Sequence, residues 1–248
     1  MPEPMNPWVM ETGSIVFWTV LLAVGVIASV RARRLSLVLL CLLGASSSFW
    51  QEFFGDWGAY VAWNPRFDRL PFWGETPFTT PVKPLFIPFS WGWWFALTIP
   101  LLVSLTAWLG RRLPLLSTTG WAFATAFPLF LAYQVYAETS AVANGWWTYD
   151  VVLGPTFTSA RGQVPLIFPF LLGLWAAGLV ALLAPQDADG LRWHERRLGV
   201  ARAAPAWRRE IGRLLAFALL FQVTMFAVNI GPAMLARLLF GGASLLVP

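Results

Sequence analysis

A chain with one cysteine and one histidine is closed to several kinds of chemistry before any motif is sought. Cys41 alone forms neither an intramolecular disulfide nor a thiolate metal site, and its place inside an apolar run reads as a small core residue. His194 has no second histidine with which to share zinc and no serine arrangement for acyl transfer. The sequence also lacks a glycine-rich phosphate loop and an aspartate-rich motif that would hold a magnesium-bound diphosphate. Charge is scarce as well: 12% of residues are charged, against about 25% in an ordinary soluble domain.

The chain is rich in apolar and aromatic residues. Of its 248 residues 58% are hydrophobic, with 16 Trp and 20 Phe. Six stretches, 14–31, 35–54, 91–109, 119–138, 164–184 and 212–236, come close to or exceed the about 20 apolar residues that cross a hydrocarbon core. The expected fold is all-α: a polytopic integral membrane helical bundle of about six transmembrane helices. No linker or internal repeat divides the chain, so 1–248 reads as a single transmembrane domain.

The net charge of +5 concerns topology rather than nucleic acid. Arg31, Arg33 and Arg34 follow the first stretch, Arg111 and Arg112 the third, and Arg192, Arg196, Arg197, Arg202, Arg208, Arg209 and Arg213 lie between the last two. The opposite side carries Arg66, Arg69, Lys83, Arg161 and Arg237 together with Glu3, Glu11, Glu52, Asp56, Asp68, Glu75, Glu138 and Asp150. The positive-inside rule then places both termini outside and the Arg-rich loops in the cytoplasm of a bacterial plasma membrane. Acids before the first stretch and arginines after it are the reverse of a secretory signal, so that stretch is expected to be retained. The loop around His194, with Asp187, Asp189, Glu195 and Glu210 among its arginines, reads as a solvated amphipathic segment on anionic membrane lipids.

Residues 55–90 form an aromatic- and proline-rich outer loop, with Trp57, Tyr60, Trp63, Phe67, Phe72, Trp73, Phe78, Phe86 and Phe89. Such a composition suits neither disorder nor a helix interior, and points to packing at the interface or to a lid. The second outer loop, 139–163, has a turn at Asn144 and Gly145 followed by Trp146, Trp147 and Tyr149. A belt of interfacial rings accounts for single aromatic residues, but not for the acids among them.

Glu52 and Asp56 stand one helical turn apart, which puts them on one face if the second stretch continues as a helix. Glu138 closes the fourth stretch, one turn after Gln134. These three are the catalytic candidates. Gln51, Tyr60, Trp63, Asn64, Gln134, Trp146, Trp147, Tyr149 and Asn229 are the substrate-binding candidates. The acids either converge on one site, or lie in water beyond the helix ends paired with Arg66, Arg69 or Arg161.

With no metal motif and no cofactor motif, the chemistry left to such a site is acid–base work on a lipophilic small molecule. A carboxylic acid protonates an alkene, epoxide, alcohol or ketone, aromatic faces stabilise the developing cation, and a carboxylate removes a proton.

The segments "WNP" (Trp63 to Pro65), "YAETS" around Glu138, "GWWTYD" and "GQVPLIFPF" resemble the avermectin-type spirocyclases, a family of small bacterial integral membrane proteins. The resemblance runs over roughly residues 45 to 170. It implies spiroketal formation, in some members with dehydration, on a polyketide-derived substrate. The order of acid, "GWWTY", glycine and proline is also similar to carotenoid-modifying membrane hydratases. Membrane terpene cyclases, which act on isoprenoids, share the size and the paired acids.

Two other functions compete with a cyclase or hydratase/dehydratase. A small proton-coupled transporter or lipid-binding membrane subunit would use the same acids, yet these sit at one face, with Gln222 and Asn229 as the good mid-bundle polar candidates in the last stretch. A scaffold subunit would need no cavity.

Overall fold

Asn6 accepts a hydrogen bond from the Trp8 amide and Pro7 fills the first helical position, so α1 (Pro7–Ala32) starts where capping chemistry places it. In this computed structural model the described residues are 6–71, 82–200 and 205–247. Glu3, Phe72, Trp73, Glu75, Phe78 and Arg202, named above, lie outside them.

After α1 come α2 (Leu37–Ser46), α3 (Trp50–Ala59), β1 (Val61–Trp63) and α4 (Ile87–Arg112). A short α5 (Thr118–Trp121) runs through a π-helical turn, Ala122–Ala126, into α6 (Phe127–Asn144). Three short strands follow, β2 (Trp147–Tyr149), β3 (Thr156–Ser159) and β4 (Gly162–Pro165), then α7 (Ile167–Leu183) and α8 (Trp193–Arg197). The last helix is continuous from α9 (Ala206–Met225) through a second π-helical turn, Phe226–Ile230, into α10 (Gly231–Phe240).

The protein is therefore mainly helical. Among the described residues α1, α4 and the joined α9–α10 are long and apolar enough to cross a membrane, and α2 with α3 makes a fourth if the bent pair is one span. At 17 residues α7 is shorter. The segment read as one helix over 35–54 is broken by a 65° bend. The cause is the run Ser46, Ser47, Ser48: the Ser47 and Ser48 hydroxyls both bond the Gly44 carbonyl, at 2.7 and 2.9 Å, and compete with the helical ladder. The bend gives α3 a direction of its own.

α2 packs between α1, α4 and α9, α6 packs on α7, and α3 packs on α10. At the centre Phe95, Trp175 and Phe221 meet edge to face, with ring centroids 5.0–5.1 Å apart. Each such pair adds about 0.5–1.5 kcal/mol beyond the area it buries. Large apolar side chains such as Val20, Leu101, Leu129 and Leu219 are exposed on the outside of the bundle.

At the Arg-rich end the chain is less solvated than its composition suggests. Glu195 is fully buried, accepting bonds from Arg213 Nε at 2.6 Å and Arg34 Nη2 at 3.1 Å. His194 is buried beside Phe217. An acid flanked by cations from α9 and from the turn after α1 is drawn inward with its neighbour, because pairing offsets the cost of leaving water.

Candidate active site

The site is assembled by the segments that follow α3 and α6. β1 and β2 pair antiparallel, with Val61 opposite Tyr149, Ala62 opposite Thr148 and Trp63 opposite Trp147. The Asn64 amide bonds the Trp146 carbonyl at 2.9 Å, and its side chain bonds the Gly145 carbonyl at 2.7 Å. Phe67 and Phe86 pack around Trp63, and all three rings are buried. A further pin is the Asp68 amide, which bonds Glu11 Oε1 on α1 at 2.6 Å.

Beside Trp63 and Phe86 lies a cavity of about 510 Å³, within the range of small-molecule sites. Glu52 and Asp56 from α3 and Glu138 from α6 all line it. Each acid is held by the indole N–H of a different tryptophan. Trp91 Nε1 donates to Glu52 Oε2 at 3.1 Å, Trp63 Nε1 to Asp56 Oδ2 at 2.6 Å, and Trp147 Nε1 to Glu138 Oε2 at 3.0 Å. Glu138 takes two more, from the Tyr149 hydroxyl at 2.7 Å and from Gln134 Nε2 at 2.8 Å. The three carboxyl groups lie within electrostatic reach of one another. No three His, Cys, Asp or Glu among the described residues are grouped to hold a metal ion.

Two groups beside the acids titrate away from their ordinary values. Burial pushes the Tyr149 hydroxyl well above 10, and the neighbouring Glu138 adds to the shift. The Lys83 ammonium is brought down to about 8 by burial, opposed by the charge of Asp56.

Of the residues singled out in the sequence, Glu52, Asp56, Glu138, Trp63, Gln134, Trp146, Trp147, Tyr149 and Asn229 border the cavity. Asn229 sits in the π-helical turn, a distortion that is frequent at functional sites. Gln51, Tyr60 and Asn64 do not border it. Gln51 points to α9, bonding the Gln222 carbonyl at 3.1 Å. Tyr60 ends α3 in the left-handed region, with φ of 60°, and stacks under Arg237 at 4.1 Å with its hydroxyl on the Gly242 carbonyl. Asn64 is a staple between the loops.

Sequence reasoning missed Trp91, Trp93, Trp94, Tyr133 and Phe168 in the wall. The cluster "SWGWWF" at the start of α4 was the available signal, but it is indistinguishable from an interfacial belt until Trp91 is seen on Glu52, 39 positions away.

Comparison with known families adds one decisive match: residues 32–241 fit the family described as spirocyclase AveC-like. The chain belongs to this family. The AveC-like match extends beyond the short motifs on both sides, from the end of α1 to the end of α10, and takes in all three cavity acids. No curated protein and no solved structure matches the chain.

Proposed function

We propose that this AveC-like family member is a membrane-embedded, cofactor-independent cyclase that closes a spiroketal on a lipophilic polyketide-type substrate by carboxylate acid–base chemistry. The observation that carries the reading is the convergence of Glu52, Asp56 and Glu138, from two helices far apart in sequence, on one aromatic-walled cavity. The membrane part of the reading takes the helices as six spans, with both termini outside and the Arg-rich end in the cytoplasm.

The reaction balances without any added reagent. In a keto-diol, one hydroxyl oxygen attacks the ketone carbon while Glu52, as the acid, protonates the carbonyl oxygen and Glu138, as the base, takes the hydroxyl proton. The product is a hemiketal, and the two residues have exchanged roles. Glu138 then protonates the hemiketal hydroxyl, which leaves as water, and the second hydroxyl attacks the oxocarbenium ion while Glu52 takes its proton. The result is a spiroketal plus one water, with both acids returned to their starting state. Trp63, Trp91 and Trp147 line the place where positive charge develops. Asp56, bonded by the Trp63 indole at 2.6 Å, borders the same place.

The role assignment follows hydrogen bonding. Three donors converge on Glu138, which suits a base kept in one orientation. Glu52 takes a single indole bond on Oε2, which suits a proton carried on Oε1. General acid–base groups contribute about 10² to 10⁴ in rate. In purified protein, Glu52→Gln and Glu138→Gln are each expected to lower turnover of a long-chain δ,δ′-dihydroxyketone by at least about 10², with the protein still folded. Full activity in both variants would sink the assignment.

A further inference from the structure

Three residues of the cavity wall keep a buried polar atom that has no hydrogen-bond partner among the described residues: Trp93 Nε1, Trp146 Nε1 and Gln134 Oε1. Buried polar groups are paired in the large majority of cases, so each exception calls for a cause. The Ser14 hydroxyl, Gln51 Oε1 and both His194 nitrogens share the property, but none of those residues borders the cavity.

Five of the cavity's six indoles divide by chemistry. Trp63, Trp91 and Trp147 donate to carboxylates, whereas Trp93 and Trp146 hold their N–H in reserve. Gln134 is oriented by its neighbour: Nε2 donates to Glu138 at 2.8 Å, which leaves Oε1 as an acceptor. The wall residues thus carry two donors and one acceptor that no other described residue satisfies.

We infer that Trp93, Trp146 and Gln134 form an anchoring set that holds the oxygen atoms of a neutral, oxygenated substrate in this cavity. The inference deepens the cyclase reading and rests on it. Two N–H donors suit carbonyl or ether oxygens, and one amide oxygen suits a hydroxyl. No Lys, Arg or His lines the cavity among the described residues, whereas three carboxyl groups do, so a carboxylate or phosphate head group would meet like charge at the wall. Indole rings donate at low entropic cost because only two side-chain angles must be fixed. The same groups discriminate: a hydrocarbon of equal shape leaves them unpaired, and a site built to bond a polar group rejects the analogue that lacks it.

The test is equilibrium binding to protein in lipid nanodiscs, with Glu52→Gln as background to stop turnover and empty discs as the partition control. The probes are a radiolabelled long-chain δ,δ′-dihydroxyketone and the matched alkane. Trp93→Phe and Trp146→Phe are each expected to weaken keto-diol binding about 3- to 10-fold and leave alkane binding unchanged. Site-specific replacement by the benzothiophene isostere of tryptophan, which removes the N–H but keeps the ring volume, is expected to reproduce the loss and covers a Phe variant that does not fold. Equal loss for both probes, no loss for either, or no saturable keto-diol binding to the background protein overturns the anchoring set. Turnover by wild type and its loss in Glu138→Gln decide the cyclase reading separately, so failure of one is not failure of the other.

Discussion

The Tyr149 hydroxyl donates to Glu138 Oε2 across 2.7 Å, joining β2 to the last turns of α6. The contact exists because β1 pairs with β2 and sets Tyr149 opposite Val61. Trp147, two residues earlier on the same strand, reaches the same carboxylate oxygen at 3.0 Å.

Removing that hydroxyl frees one side of Glu138 without changing the ring. Tyr149→Phe is expected to lower kcat roughly tenfold or more and to leave KM within about twofold, the split of a group that orients a reacting residue. Steady-state kinetics on the keto-diol decide it, and an effect confined to KM would assign Tyr149 to binding alone. Because burial and Glu138 hold this phenol protonated well above pH 10, the activity profile is expected to show no Tyr149 limb below that pH.

Glycine at position 58 lets α3 approach α10. A Cβ there would lie 2.8 Å from the Met234 amide nitrogen and 2.9 Å from the Ala233 carbonyl carbon, both of them backbone atoms. Gly58→Ala is expected to cost about 1–3 kcal/mol, read as a lowered midpoint in thermal unfolding, and to reduce activity through displacement of Asp56. An unchanged midpoint would show that α3 and α10 separate freely.

Glu195 is fully buried between Arg213 and Arg34. Glu195→Gln leaves two cations facing a neutral amide, an expected loss of about 3–5 kcal/mol of stability, with little effect on the turnover of whatever protein remains folded. Denaturant unfolding beside specific activity separates the two quantities. A loss of activity per folded molecule would mean that this end of the bundle communicates with the cavity.

Burial and the nearby Arg192 charge lower His194 from 6.5 to about 4. Its unfolded form therefore binds a proton that the folded form refuses. The stability it contributes is complete above about pH 6.5 and is lost as pH falls toward 4. Unfolding measured from pH 7 to 4 is expected to be steeper in wild type than in His194→Gln, and identical slopes would contradict the burial.

Much of this architecture was legible in composition. Runs such as 91–109 and 212–236 are apolar enough to fix the helices that became α4 and α9–α10, because neither run holds enough polar side chains to interrupt a helix. Glu52 and Asp56, expected on one face of a continuous second stretch, both border the cavity from a helix that starts anew after three serines. Tyr60 shows the limit: aromatic and near the acids in sequence, it was grouped with them, but the left-handed turn ending α3 sends it to Arg237.

What the sequence determined by itself is the mainly helical fold and the residue types able to exchange protons, since these follow from hydropathy and local spacing. Only the tertiary structure decided which residues meet. Trp91 reaches Glu52 across 39 positions, and the strand pairing of two loops brings Tyr149 and Trp147 onto Glu138. Such contacts join segments distant in the chain, so their geometry depends on how whole helices pack and not on any pattern that a local window of sequence contains.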